Sequence, residues 1–325
     1  MHIAHLVRLT SAVAVALLCG VTPAQAQTYP TKPIRMLVGF PPGGPTDVVG
    51  RIIADKLGEQ FGQPVVVENR PGAAGNIAAE QVAKAAPDGY TVLYASNAIA
   101  ISPGLYAKLG FDPVKDLIPV TEAGTGSLVF VVHPSVPVNT VQEFIDYAKA
   151  RPGQLNYASS GSGTITHLAA VMFSQRTGLQ TQHVPYKGSA PSLVDIVAGR
   201  VQFLMGAINT AVPFIKEGKL RALAVTGLKR SPALPDVKTL DESGLSGFEA
   251  ANWQGVFVPA GTPAPIVARL NAEFVKAVRS PELKPKLAQQ DMEPTGPSVD
   301  AFGAAFRDEL VRWTKLAKEA GIKAE

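Results

Sequence analysis

Two short stretches rich in glycine, serine and threonine carry the groups best suited to chemistry in this chain, and that chemistry is anion binding by the main chain. In residues 34–51, IRMLVGFPPGGPTDVVGR, an apolar strand enters a Pro/Gly turn that opens a helix with apolar Val48, Val49, Ile52, Ile53 and Leu57. Gly43 and Gly44 let the backbone turn sharply and keep side chains away from its N–H groups. Pro45 suits the first helical position, and Thr46 and Asp47 fall in the first turn, where a hydroxyl and a carboxylate can satisfy free donors. Such a helix start cradles an anion; an ordinary strand-to-helix turn has the same composition. Residues 157–167, YASSGSGTITH, repeat the arrangement with hydroxyls at Ser159, Ser160, Ser162, Thr164 and Thr166. Charge-assisted bonds contribute roughly 1.5–3 kcal/mol each, so two opposed helix starts discriminate strongly for a carboxylate. The alternative for the second stretch is a serine-rich surface loop that caps a helix.

Other chemistries lack their residues. Neither turn is a nucleotide loop, since no Lys-Ser or Lys-Thr follows the glycines and no GxGxxG occurs. No serine in 157–167 has glycines two residues away on both sides, so the nucleophile elbow is absent. His133, His167 and His183 lack metal-ligand spacing, and HExxH does not occur. No cofactor or metal is implied. A hydrolase built on Ser160 or Ser162 with His167 is disfavoured, because these residues share one helix start and no orienting acid is evident.

Three further residues are candidates for the same ligand. His167 lies one turn into its helix, where the positive dipole end disfavours imidazolium, so a neutral ring is expected, either structural or in contact with the ligand. Asn97 ends the strand-like 90–96 at the edge where a cleft belongs, with a capping or turn role as the alternative. Asp195, in YKGSAPSLVDIVAGR (186–200), either faces the cleft and anchors a water or a ligand donor, or pairs with Lys187 or Arg200. Trp253 is read as interdomain packing.

The elements that position these residues alternate along the whole chain. Strands are read at 34–40, 64–69, 90–96, 128–134, 155–159, 201–206, 220–227 and 254–260. Amphipathic helices are read at 45–61, 76–86, 140–151, 164–177, 189–199, 209–217, 263–279 and 298–320. Short apolar strands separated by helices indicate an α/β fold with mostly parallel sheets. Glycine-bearing stretches near 123–126 and 244–252 suggest two interlobe crossings, with 27–126 plus 253–325 as lobe I and 127–252 as lobe II. The cleft then lies at the carboxyl ends of both sheets.

Composition agrees with a globular protein and not a disordered one. Of the 325 residues 46% are apolar and 17% charged, and the formal net charge is +4. Basic residues are scattered instead of forming a stripe, which argues against nucleic acid. Residues 1–26 read as a signal peptide: Arg8 precedes an apolar run, and Ala24-Gln25-Ala26 supplies the cleavage pattern. Export to the periplasm follows, and cleavage after Ala26 removes Cys19, the single cysteine.

Together and in this order, YPTKPIRMLVGFPPGGPTD, VVVENRPGAAGN, PDGYTVLYAS, LNYASSGSGTITHL, HVPYKGSAPSLVDIVAGRV, GKLRALAVTGLKRSPALPDVKTLDESG and NWQGVFVPAGTP resemble the extracytoplasmic substrate-binding proteins of tripartite tricarboxylate transporters, the Bug family. The resemblance implies a two-lobed periplasmic-binding-protein architecture that closes on a small organic acid, with no catalysis. It implies ligand contacts from Phe40, Gly43, Gly44, Thr46 and Asp47 in the first turn, and from Ser159, Ser160, Gly163, Thr164 and His167 in the second, with Asp195 on a recurrent acidic position. Two departures stand out: Ala170-Val171 where many relatives carry Gly-Glu, and Lys238 where a proline is usual. The small, mostly apolar segments 97–100 and 207–210 point to a ligand less charged than citrate at its far end, a short dicarboxylate or an aromatic acid. The expected partners of a monomeric receptor are the carboxylate and the permease subunits of such a transporter. A sensor kinase reporting the same solute is the alternative.

Overall fold

The computed structural model describes residues 29–323, so the signal peptide expected at 1–26 lies outside the described residues. The chain runs β1 (Ile34–Val38), α1 (Pro45–Phe61), β2 (Val65–Asn69), α2 (Asn76–Ala83), β3 (Thr91–Ser96), α3 (Ala98–Ile101) and then a long β4 (Leu117–Val132). It continues through α4 (Val141–Lys149), β5 (Leu155–Ser159), α5 (Ile165–Thr177), β6 (Thr181–Pro185), α6 (Ser189–Val197), β7 (Phe203–Ala207), α7 (Ile208–Lys216) and β8 (Arg221–Val225). The last part holds β9 (Ala251–Pro259), α8 (Ala264–Val278), α9 (Leu283–Gln289), a short β10 (Glu293–Pro294) and α10 (Val299–Glu319).

The strands form the order β2-β1-β3-β9-β4-β7-β5-β6, with β8 and β10 also paired to β4. Pairing is parallel on the outer sides, where β1 lies between β2 and β3, and β5 between β6 and β7. It is antiparallel in the middle, around β9 and β4. The fold is therefore α/β with a mixed sheet. β4 belongs to two ladders: up to Ser127, opposite Ala251, it pairs with β9, and from Leu128, opposite Ala207, it pairs with β7 and β8.

The glycines at 124 and 126, read from sequence as a break, lie inside β4. Another strand and a tight corner press on the chain there: a Cβ on Gly124 would stand 2.6 Å from the Glu293 carbonyl oxygen, and one on Gly126 2.2 Å from that of Asp291. Only glycine admits so close a backbone approach.

Packing follows the apolar faces of these elements. Phe130 of β4 meets Phe144, Phe173 and Phe203 with ring centroids 4.9, 5.0 and 5.7 Å away. Loss of one such ring costs about 3–5 kcal/mol. Trp253 departs from its expected interdomain role: lying on β9, it packs edge-on against Phe302 and Phe306 of α10, at 5.5 and 6.3 Å, inside the core. Val171, at one of the family departures, packs partly buried against the same core.

Every β-to-α step along a parallel strand places a helix N-terminus at the strand's carboxyl end. Three of these starts, those of α1, α5 and α6, build the site.

Candidate functional site

The first turn leaves β1 through Gly39, where a Cβ would stand 2.4 Å from the Gly75 Cα. Gly43 has φ +78°, and Gly44 caps α1 without any side-chain hydrogen bond to the helix. The N–H groups of Thr46 and Asp47 find no acceptor among the described residues. Asp47 does not line the cavity; it holds the turn from behind. Its carboxylate accepts from the Gly43 N–H at 2.8 Å, from Arg51 Nε at 3.0 Å and from Asn69 Nδ2 at 2.8 Å. Burial pushes this carboxyl up, yet the bonds from Arg51, Gly43 and Asn69 together hold it below the usual range.

The second turn leaves β5 at Ser159 and opens α5 at Ile165, with Thr164 as its cap residue. The Thr164 hydroxyl turns back to donate to the Gly161 carbonyl at 2.7 Å, so it does not cap the helix. The Ile165 and Thr166 N–H groups therefore have no acceptor among the described residues. Thr166 Oγ1 accepts from the Ser160 N–H at 2.9 Å and lies 3.0 Å from Ser160 Oγ and 2.8 Å from Thr164 Oγ1. Ser159 is fully buried: its hydroxyl accepts from the Gly161 N–H at 3.1 Å, which leaves its proton for His183 Nε2 at 2.6 Å.

His167 and His183 stack face to face, with ring centroids 3.8 Å apart and planes 5° from parallel. The Gly163 N–H donates to His167 Nδ1 at 3.3 Å, which places that ring's proton on Nε2. Burial, then the neighbouring His183, lowers His167 to about 3, and burial lowers His183 to about 4. The ring is neutral, as the sequence led us to expect. Removal from water is the main cause, and the neighbouring His183 adds to it. His167 supports the turn from inside, and its ring is engaged by Gly163, not by a serine hydroxyl. Gly163 itself has φ +83° and packs toward Leu105 and Tyr106.

A third turn completes the enclosure, and sequence reading passed over it while weighing Asp195. In Lys187-Gly188-Ser189-Ala190-Pro191, Gly188 has φ +109° and caps α6 with no side-chain bond. The Gly188 N–H donates to the Ser160 carbonyl at 3.0 Å, and the Tyr186 N–H to that of Ser159 at 3.1 Å, so the second and third turns are tied. A Cβ on Gly188 would be 3.5 Å from Pro41, which brings the third turn against the first. The signal was present in YKGSAP, small residues opening a helix as in the other two turns.

Asp195 points elsewhere. It accepts from the Tyr186 hydroxyl and from Arg200 Nη1, both at 2.6 Å, and these bonds lower its carboxyl. Burial, then the contact with Asp195, pushes Tyr186 up to about 12. Asn97 is also turned inward: its Nδ2 donates to the Ala251 carbonyl at 2.9 Å and its N–H to that of Trp253 at 3.2 Å, while Ser96 beside it reaches the cavity.

The cavity so formed has a volume of about 330 Å³. Phe40, Gly43, Gly44 and Thr46 line it from the first turn, Ser160, Thr164 and Thr166 from the second, and Lys187, Gly188 and Ser189 from the third. Ser96, Leu128, Ile165, Leu193, Ala207, Thr210 and Asn252 also stand in the wall. Of the residues expected at the ligand, Asp47, Asn97, Ser159, Gly163, His167 and Asp195 do not line it. The wall holds no aspartate or glutamate, and its single charged residue is Lys187.

An α/β fold whose helix starts converge on a cavity without carboxylates is suited to binding an anionic solute. Residues 49–322 match the profile of the tripartite tricarboxylate transporter family receptor, TctC, and the chain belongs to that family. It is 37% identical to the protein BugT of Bordetella pertussis over 303 residues, covering 93% of each chain. A protein encoded in the tcbD–tcbE intergenic region of Pseudomonas sp. strain P51 is 38% identical, covering 98% of this chain and 95% of its own. Among solved structures, R. palustris Rpa4515 with adipate superposes with TM-score 0.86 at 38% identity, covering 91% of this chain and 100% of that one. MatC of Rhodopseudomonas palustris with bound malate gives TM-score 0.83 at 32% identity, covering 89% and 100%.

Proposed function

We propose that this chain is a periplasmic receptor that captures a small organic acid anion between its three helix starts and delivers it to the permease subunits of a tripartite transporter. The observation that carries the reading is the cavity wall: unpaired N–H groups at the starts of α1, α5 and α6, one lysine, and no carboxylate. Charge-assisted bonds from such donors contribute roughly 1.5–3 kcal/mol each, enough to select an anion over a neutral solute of the same shape. Phe40, Gly43, Gly44, Thr46, Ser160 and Thr164 touch the ligand in this reading, while Asp47, Ser159, Gly163 and His167 hold the turns in shape. The adipate and malate bound by the two Rhodopseudomonas relatives support a carboxylate as the anion.

Residues 27–126 with 253–325 act as one lobe and 127–252 as the other, closing when both grip the same anion. Export requires the leader at 1–26, cleaved after Ala26. The test is thermal unfolding and calorimetry with succinate, malate, adipate, citrate and benzoate against succinamide and butylamine. A matching acid at a hundredfold excess over its Kd stabilises the fold by about 2.7 kcal/mol. Stabilisation by the diamide equal to that by the acids, or by no acid at all, refutes the reading.

A further inference from the structure

Lys187 is the one charged side chain among the residues that line the cavity, and no carboxylate there answers it. The neighbouring acid is already taken, since both Asp195 oxygens are bound, one by Tyr186 and one by Arg200. Lys187 has no ion-pair partner among the described residues, and it is exposed, which puts it at the rim of the cavity and not in its floor. The main chain beside it is nonetheless held. The next residue, Gly188, donates to the Ser160 carbonyl and lies against Pro41 of the first turn. The same cavity wall carries apolar side chains, among them Phe40, Leu128, Ile165, Leu193 and Ala207. A second anionic group on the ligand, carried along that wall, loses water and needs a counter-charge. Lys187 is the only one the cavity offers.

We propose that Lys187 pairs with a second anionic group of the ligand and is the residue by which this receptor separates doubly from singly charged acids. The inference rests on the carboxylate reading above. One carboxylate sits on the helix starts, an apolar spacer follows the wall, and the far carboxylate meets the ammonium. Closure around the ligand removes water from the pair and weakens its screening by salt.

The test compares succinate, adipate and suberate, each with its own monomethyl ester, by calorimetry at pH 7.5, where the ester keeps the length and loses one charge. For the matching length, the diacid is expected to bind about tenfold tighter than its ester, with the gap narrowing at high salt. In Lys187→Gln the ratio falls below about threefold, whereas Lys187→Arg keeps it. A ratio near one in the unmodified protein, or a tenfold ratio that survives Lys187→Gln, overturns the role of Lys187 and leaves the carboxylate site standing. Failure of every diacid and every ester to bind removes the carboxylate site, and this inference with it.

Discussion

Acidification should destabilise this protein through the stacked His167–His183 pair, and the size of the effect follows from their burial. The two rings lie 3.8 Å apart and are lowered to about 3 and about 4. Below pH 6.5 the unfolded chain takes up a proton on each imidazole while the folded chain keeps both neutral. The unfolded state then binds more protons, so stability falls as pH falls, and the loss ends only as the folded values are passed. At pH 5 an imidazole of unfolded pKa near 6.5 favours unfolding by about 2 kcal/mol, whatever its folded value below about 4. Two rings give about 4 kcal/mol, or roughly 6 °C in Tm for a chain of this size. Glu122 and Asp291, both raised by burial, act in the opposite direction, so the decisive quantity is a difference between proteins. The comparison is calorimetric melting from pH 8 to pH 5 for the wild type and for His167→Phe/His183→Phe, which keeps two stacked rings and removes both protons. The double variant starts less stable, because Ser159 and Gly163 lose their ring partners. Its Tm should then fall by roughly 6 °C less than that of the wild type over the same range. Equal losses in the two proteins, or ring resonances of His167 and His183 titrating near 6.5, would show that the pair is not held neutral by burial.

Other positions separate the physical causes at work. Asp47→Asn turns an acceptor of three donors into a group whose own NH₂ faces one of them, and should cost about 2–3 kcal/mol in urea unfolding. A loss under about 0.5 kcal/mol would mean that Gly43, Arg51 and Asn69 find other partners. Gly39→Ala drives a Cβ to 2.4 Å from the Gly75 Cα, while Gly43→Ala, at φ +78°, meets nothing within 4 Å. The first should cost about 3 kcal/mol or more and the second about 1–2, so an inverted order in urea midpoints refutes the distinction between clash and backbone strain. Thr166→Val strands the Ser160 N–H and removes a hydroxyl from the cavity wall; acid affinity by calorimetry should drop about tenfold, and an unchanged Kd places that hydroxyl outside the contact.

Much of this architecture was legible in the chain, for identifiable reasons. Helix α1 falls at 45–61 as read, because Pro45 and Gly62 mark its ends and its apolar face keeps a helical spacing. Strand β6, TQHVP, was passed over, since its partial burial leaves no apolar alternation to read. The first half of β4 was missed because Pro119 and the closely approached Gly124 and Gly126 interrupt its buried apolar residues Leu117, Val120 and Ala123. At the site, the turns were readable from small residues next to a helix start. The side on which a polar side chain lies was not: Asp47, Ser159 and His167 carry the right groups and turn them inward to brace the turns. Residue type states what a group can do, and only the fold decides which way it faces.

The passage of β4 from one ladder to the other, between Ser127 and Leu128, makes this strand a torsion bar rather than a door hung on a slack loop. Any rotation of one sheet against the other must wind hydrogen-bonded peptide units, with β9 carried along by the two bonds from Asn97 to the Ala251 and Trp253 carbonyls. In the closure proposed above, movement would be spread over many small changes in dihedral angle, and the elastic strain it stores would rise with amplitude. Substitutions along this spine, far from any solute, would alter how readily the molecule bends without touching what it grips.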